Sequence, residues 1–268
     1  MSNPTTQSTA NQLLNEAYER AQKLGPNQAQ VWPGGAIFTS ISAAMASITN
    51  ASPTDQFQIA IGPGTYNETV ILKPNVYMSG AGTTKTTLTA PGSNFPAGVL
   101  GISGNCGAGM MGINCTGNVN GGYSIALYIV MDTVFTGGGL YLNAMDSNTN
   151  SDTQATVCAL SNIAGSGNYD VNLSSCQVTC GNLNNSSEAI CIQVAGPQGI
   201  FTSELSNYLA SGAGAIAVMT STGTKATLES CTVTGDTYSL LNQDQQSPIT
   251  ANQCTLNGQV SQGVTVNP

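Results

Sequence analysis

From residue 57 to its end the chain is a succession of short β-type runs separated by Gly, Asn, Ser and Thr, and the runs recur. Ser175-Cys176-Gln177-Val178, Ser230-Cys231-Thr232-Val233 and Gln253-Cys254-Thr255-Leu256 share one pattern, followed by Gly181, Gly235 and Gly258. Glu204-Leu205-Ser206 falls between the first two, ahead of Gly212. Asn114-Cys115-Thr116 and Asp132-Thr133-Val134-Phe135 read as earlier members. The successive steps from 176 to 205, 231 and 254 are 29, 26 and 23 residues, an irregular period. A strand-bearing period of 20–50 residues without a second helical pattern means a solenoid or a propeller, and propeller blades, at about 40 residues and four strands each, are too long for this spacing. Coils of about 26 residues with two or three short strands suit an all-β chain wound as a parallel β-helix. Residues 57–268 then make about eight coils, a rod on the order of 40 Å long at about 4.8 Å per coil.

A solenoid turns its apolar residues inward, and what this chain leaves for the outside is nearly uncharged. Charged residues are 7%, against about 25% in ordinary globular proteins. In their place stand 26 Ser, 31 Thr, 26 Asn and 31 Gly, while 40% hydrophobic content is enough to fold. Five Lys+Arg against thirteen Asp+Glu give no footprint for nucleic acid and no attraction to an anionic membrane. The chain has no histidine, which removes Ser-His-Asp and Cys-His catalysis, histidine metal sites and histidine pH switching. Its one arginine, Arg20, is the only possible bidentate clamp. No metal and no cofactor are expected.

Residues 1–12 are polar and lack the pattern of a signal peptide. No apolar run approaches the roughly 18 residues of a membrane span. The expectation is synthesis in the cytosol, without membrane insertion, and incorporation into a virus particle or surface assembly. Eight cysteines allow 105 pairings, and buried free thiols are the expectation for a chain of this length. Cys176, Cys231 and Cys254 should recur at one inward position.

Residues 9–24 read as a helix with Leu13, Leu14, Ala17, Tyr18, Ala21 and Leu24 on one face, stopped by Gly25-Pro26. A second helix is expected at about 40–49, with Ile41, Met45 and Ile48 at helical spacing and Thr39 or Ser40 as its cap. The organisation expected is an N-terminal helical arm, 1–37, and one β-helix domain, 38–268.

Phe38-Thr39-Ser40-Ile41, with Ala43-Ala44 and Ile48, resembles the cap-helix opening of pectin methylesterases. The similarity continues through the run from Phe57 to Val70, which holds Gly62-Pro63-Gly64-Thr65-Tyr66-Asn67-Glu68. It extends into Leu72-Lys73-Pro74-Asn75-Val76-Tyr77-Met78-Ser79-Gly80-Ala81-Gly82 and Thr86-Thr87-Leu88-Thr89. This stretch is similar to the first coils of the pectin-lyase-like superfamily, and the resemblance implies a right-handed parallel β-helix whose open end the helix plugs. It does not extend to the family's chemistry. Pectin methylesterases use two aspartates, a glutamine pair and an arginine on one sheet; Asp132-Thr133 matches one aspartate motif loosely, no second follows, and Arg20 lies in the arm.

Among candidate site residues, Asp132, Asp146 and Asp152 share one short stretch. Two carboxylates about 5–9 Å apart can hydrolyse a glycoside without histidine; the competing reading is loop residues that supply turn hydrogen bonds. Tyr123, Tyr128 and Tyr141 can stack on sugar rings if they face outward, or on each other in the core. Gly137-Gly138-Gly139 would let a ligand or neighbouring chain approach the backbone. The reading favoured at this point is a non-catalytic structural or assembly protein, a self-associating component of a virus particle or surface fibre. Its partners would be other copies of itself or further assembly subunits, and glycans form a second class. The alternatives are a carbohydrate-active enzyme, pectin methylesterase-like or a glycoside hydrolase using aspartates, and a glycan-binding adhesin or tail protein.

Overall fold

The alternation that marks the runs as strands also sets which side of each faces the core. Phe57–Ile61 buries Ile59 and Ile61 and exposes Gln58. After a corner, Gly64–Asn67 buries Tyr66, and after another Val70–Leu72 buries Val70 and Leu72 and exposes Ile71. Val76–Gly80 then returns beside Phe57–Ile61, in parallel. The computed structural model describes residues 27–33, 37–89, 100–102, 108–119, 124–129, 134–146, 157–163, 170–182, 189–196 and 198–268. Three strands to a coil give the solenoid three faces.

Face 1 is a sheet of ten parallel strands from Gln28–Val31 to Val264–Asn267. Faces 2 and 3 join in one fourteen-stranded sheet because the eleven-residue strand Thr232–Asn242 rounds the corner between them. Its first part pairs with Asn207–Ser211 on face 2 and its second with Ile216–Ser221 on face 3. Inside, side chains stack rung on rung: Phe135, Val171, Phe201, Ala226 and Ile249 occupy one column of face 1, all buried. The first strand, Gln28–Val31, precedes residue 38, where the sequence placed the start of the solenoid. Its alternation is regular, with Ala29 and Val31 buried, but four residues are too short a run to mark a strand in the sequence. The helix expected over 9–24 lies outside the described residues.

The repeat seen in the sequence is the corner between faces 1 and 2. In six successive coils one residue there has left-handed backbone: Gly112, Gly139, Ser175, Leu205, Ser230 and Gln253, with φ of 50–63°. Each donates its N–H to a carbonyl of the next coil, as Ser175 does to Glu204 at 3.0 Å and Leu205 to Glu229 at 3.0 Å, so the ladder is not interrupted. The residue that follows is Ile113, Leu140, Cys176, Ser206, Cys231 or Cys254; all are buried but Cys254, which is half-buried. The three cysteines therefore do share one position. The earlier alignment is off by one at its second member: Ser206, not Leu205, stands level with Cys176 and Cys231, and Cys176 N–H donates to Ser206 Oγ at 3.1 Å. A leucine at a left-handed corner is uncommon, and residue type therefore misplaced it.

At the other end a helix closes the solenoid. The helix, α1, spans Ile41–Ser47 with Ser40 as N-cap. Every amide of its first turn has an acceptor. Glu68 accepts from Ile41 N–H at 2.8 Å and Ser42 N–H at 3.0 Å, Ser40 Oγ from Ala43 N–H at 3.2 Å, and Ser40 O from Ala44 N–H at 3.2 Å. At the far end Lys73 Nζ donates to Ile48 O at 2.7 Å and Ala46 O at 3.3 Å. Ile41, Ala44 and Met45 are buried against the first coil. Gly62 is required by packing: a Cβ there would lie 2.7 Å from the Trp32 ring.

Candidate functional site

Among the described residues, the surface the solenoid offers is its outer columns. On face 2 the Cα register of the first column runs Thr65, Thr87, Asn114, Tyr141, Gln177, Asn207, Thr232, Thr255. The second runs Asn67, Thr89, Thr116, Asn143, Thr179, Leu209, Thr234, Asn257. Every position but Leu209 carries a hydroxyl or a carboxamide, and neither column holds a charged residue. Neighbours along a column bond to one another. Thr179 Oγ1 approaches Asn143 Oδ1 at 2.8 Å and Tyr141 OH at 3.4 Å; Thr89 Oγ1 donates to Asn67 Oδ1 at 3.3 Å, and Asn257 Nδ2 to Thr234 Oγ1 at 3.2 Å.

Face 1 carries a second such column, Thr136, Asn172, Thr202, Thr227, Thr250 and Thr265. Beside it, next to the corner, Ser174, Glu204, Glu229, Asn252 and Asn267 lie in register. Glu204 and Glu229 are therefore one rung apart, about 4.8 Å between backbones. Both are exposed, and Asn252 Nδ2 donates to Glu229 Oε1 at 3.2 Å. The sequence reading missed this pair. Aligning Glu204-Leu205-Ser206 with Glu229-Ser230-Cys231, one residue over, would have found it. Face 3 is different again: Ile190, Ile216 and Met219 are buried in a small cluster of their own, with Tyr238 and Leu241 packed against it.

Of the expected site residues, Asp132, Asp152 and Tyr123 lie outside the described residues. Asp146 ends the strand Tyr141–Asp146 on face 2, in register with Val119 and Asn182. Tyr128 lies in Ser124–Ile129 on face 3, in register with Gly101 and Ser161, so it does not share a face with Tyr141. Tyr141 is half-buried, between the buried Leu140 and Leu142. Gly137 faces inward, where a Cβ would lie 2.8 Å from both Leu140 Cδ1 and Leu173 Cδ2; it admits core side chains rather than a ligand.

Among the described residues, the buried tyrosine and cysteines with shifted pKa values are held in their neutral forms. Burial pushes the Tyr208 phenol well above its usual value; its hydrogen bond with Ser203 works against this and the Cys231 and Cys176 thiols reinforce it. Burial likewise raises Cys176 and Cys254 above the ordinary thiol range, which keeps them protonated and poor nucleophiles. Among the described residues no group of three or more Cys, Asp or Glu side chains is placed to hold a metal ion. No described helix is long and apolar enough to cross a membrane.

Solved structures of pectin methylesterases superpose on most of this chain. The enzyme from carrot does so with a TM-score of 0.57 and 16% identity over 90% of this chain and 86% of its own. PemA from Erwinia chrysanthemi gives 0.54 and 11% over 90% and 92%. A mutant pectin methylesterase in complex with a hexasaccharide gives 0.55 and 11% over the same shares. The fold is the pectin-lyase-like right-handed parallel β-helix. At these identities the likeness is one of architecture, shared with carbohydrate-active enzymes. No protein-family model and no curated protein matches the sequence.

Proposed function

We propose that this β-helix binds a polysaccharide along the outer columns of face 2 and does not cleave it. The observation that carries the reading is the double column of face 2, whose residues are neutral and of hydrogen-bonding type at every position but Leu209, with half-buried Tyr141 among them. Sugar hydroxyls both donate and accept, and Thr, Asn and Gln match them without charge. A tyrosine ring offers an apolar surface to a sugar face. That a pectin methylesterase of the same fold is solved with a hexasaccharide supports the ligand class.

Cleavage is a separate matter. Glu204 and Glu229 are both exposed, and Asn252 hydrogen-bonds Glu229 alone; neither lies in an apolar pocket of the kind that equips a catalytic acid. The test is affinity electrophoresis in gels containing methyl-esterified pectin, de-esterified pectin or a mixed-linkage β-glucan, together with a methanol-release assay on the esterified pectin. The expected result is retardation by at least one polymer, lost in Asn207→Lys and kept in Thr250→Lys on face 1, with no methanol released. Mobility unchanged in all three gels, or methanol above the blank, overturns the reading.

Leu205 supports a second reading, as a self-associating subunit of a larger particle or fibre. It holds a left-handed corner, φ 50°, yet is 66% exposed, so its side chain gains little inside the chain. Exposed Leu209 follows on face 2 of the same coil, and exposed Ile200 precedes it on face 1. Leu205→Asn relieves the corner and should raise stability by about 1 kcal/mol. If these residues form a contact between copies, light scattering at two protein concentrations and two salt levels will show assemblies of the native chain and monomers of the variant. Monomers for both exclude the contact.

A further inference from the structure

We infer that Cys180 and Cys191 are a disulfide-forming pair that staples face 2 to face 3 from inside the core. Cys180 lies in Gln177–Asn182 and Cys191 in Ala189–Ala195, the two strands that flank one corner of the coil. Their sulfurs are 3.0 Å apart, and both residues are buried, at 2% and 0% exposure. To bond, the sulfurs close by about 1 Å, to the roughly 2.05 Å of a disulfide.

The neighbourhood favours this pairing over others. The residues level with Cys180 on the coils either side are Ala144 and Ala210, both buried, so its column holds no rival thiol there. Cys231 and Cys254 also stack in adjacent coils, but their sulfurs hold closer backbone contacts than Cys191 Sγ, which lies 3.7 Å from Val178 O. Cys254 Sγ accepts from Cys231 N–H at 3.4 Å and lies 3.2 Å from Asn252 O, and Cys231 Sγ lies 3.3 Å from Glu229 O.

The chemistry is thiol–disulfide exchange with a small-molecule disulfide. One cysteine thiolate attacks a sulfur of oxidised glutathione; a mixed disulfide forms and one glutathione thiolate leaves. The second cysteine thiolate then attacks the protein sulfur of that mixed disulfide and releases the second glutathione. Two protein thiols are oxidised to one disulfide, one small disulfide is reduced to two thiols, and the two protons pass to the leaving thiolates. Burial excludes the oxidant from the finished coil, so exchange takes place while the corner is still open, during folding.

The full chain would be refolded from denaturant in oxidised and reduced glutathione, its remaining thiols alkylated, and the product digested with chymotrypsin. Cleavage after Leu183 separates the two cysteines. Mass spectrometry should find the Cys180 peptide joined to the Cys191 peptide, with fragment ions placing the bond at Cys180 rather than Cys176. The link should persist in Cys176→Ala and vanish in Cys180→Ala. Reduction should lower the melting temperature of the native chain by about 5 °C and leave that of Cys191→Ala unchanged. Alkylation of both cysteines in the folded product, or a bond from either to a different cysteine, overturns the inference. The native-chain map decides the matter even if a variant fails to fold.

Discussion

Glu68 is where the cap and the solenoid are joined, and replacing it tests that joint quantitatively. Its carboxylate accepts three hydrogen bonds, from Ser40 Oγ at 2.7 Å, Ile41 N–H at 2.8 Å and Ser42 N–H at 3.0 Å. Hydrogen bonds to a charged group contribute about 1.5–3 kcal/mol each. The residue is only half-buried, so the lower end applies. Glu68→Gln keeps one acceptor oxygen, presents an NH2 to a donor, and removes the charge beside the helix N-terminus. One charged bond lost and the others weakened give a cost of about 2 kcal/mol. With an unfolding entropy of about 2.1 cal/mol/K per residue, that is roughly a 4 °C fall in melting temperature. Burial raises the Glu68 carboxyl, but the hydrogen bonds from Ser42, Ser40 and Ile41 outweigh it and hold the group below the usual carboxylate range. A depressed folded value means the contribution is present above the unfolded value of about 4.3 and is lost as pH falls through the folded one. Thermal melts followed by circular dichroism from pH 7 down to about 3 should therefore show the native chain and Glu68→Gln converging in acid. Hydrogen exchange should also rise in Ile41–Ser47 of the variant at neutral pH. A variant that melts within about 1 °C of the native chain at neutral pH, with unchanged exchange in the helix, would refute the account of Glu68 as a clamp.

Two glycines separate packing from backbone conformation. A Cβ at Gly235 would lie 2.0 Å from Tyr238 O and 3.0 Å from Ala217 N, both backbone atoms, so Gly235→Ala should cost about 3 kcal/mol in urea unfolding. Gly214, φ 74°, has nothing within 4 Å, so Gly214→Ala should cost only the left-handed backbone term, about 1 kcal/mol. Tyr208→Phe removes the hydroxyl bonded to Ser203 Oγ, leaves it only the weaker contact from Cys231 Sγ at 3.8 Å, and should cost about 1 kcal/mol at neutral pH. Because burial raises the folded Tyr208 value, its contribution is present below the unfolded value of about 10 and declines above it; the native chain should lose stability from there upward more steeply than the variant.

How much of this was legible in the sequence depended on whether a position constrains residue type or only backbone. The cap helix was legible because Ser40, Ile41, Met45 and Ile48 each have a side-chain role. The corner repeat was legible where cysteine fills the inward place, at 176, 231 and 254. It slipped at Leu205, because the left-handed corner fixes a φ angle and tolerates Gly, Ser, Gln and Leu alike. That one-residue slip also hid Glu204 and Glu229, whose adjacency is a property of register alone. Tyr141 could be assigned a side only once Leu140 and Leu142 were known to be buried.

The residues that carry the resemblance to pectin methylesterases have structural roles that any chain starting such a helix must fill. Glu68 and Lys73 hold the two ends of α1. Tyr66 OH donates to Gly62 O at 3.0 Å and Val31 O at 3.3 Å across the first corner. Asn75 takes a left-handed turn with φ 59°, and a Cβ at Gly80 would lie 2.5 Å from Gly112 O on the next coil. The same stretch also supplies the first two rungs of the face 2 columns, Thr65 with Asn67 and Thr87 with Thr89, while the six later rungs lie beyond it. Similarity over residues 38–89 therefore specifies how the helix starts and leaves most of the outer surface unspecified. Activity has to be read from the columns. Among the described residues, face 2 offers hydroxyls and carboxamides, face 3 an apolar cluster, and face 1 two exposed glutamates one rung apart. Hydrolysis needs a proton donor and a proton acceptor held in unlike environments on one face. Repeated neutral donors and acceptors at one coil spacing are the basis of our proposal of a long, repetitive, uncharged ligand.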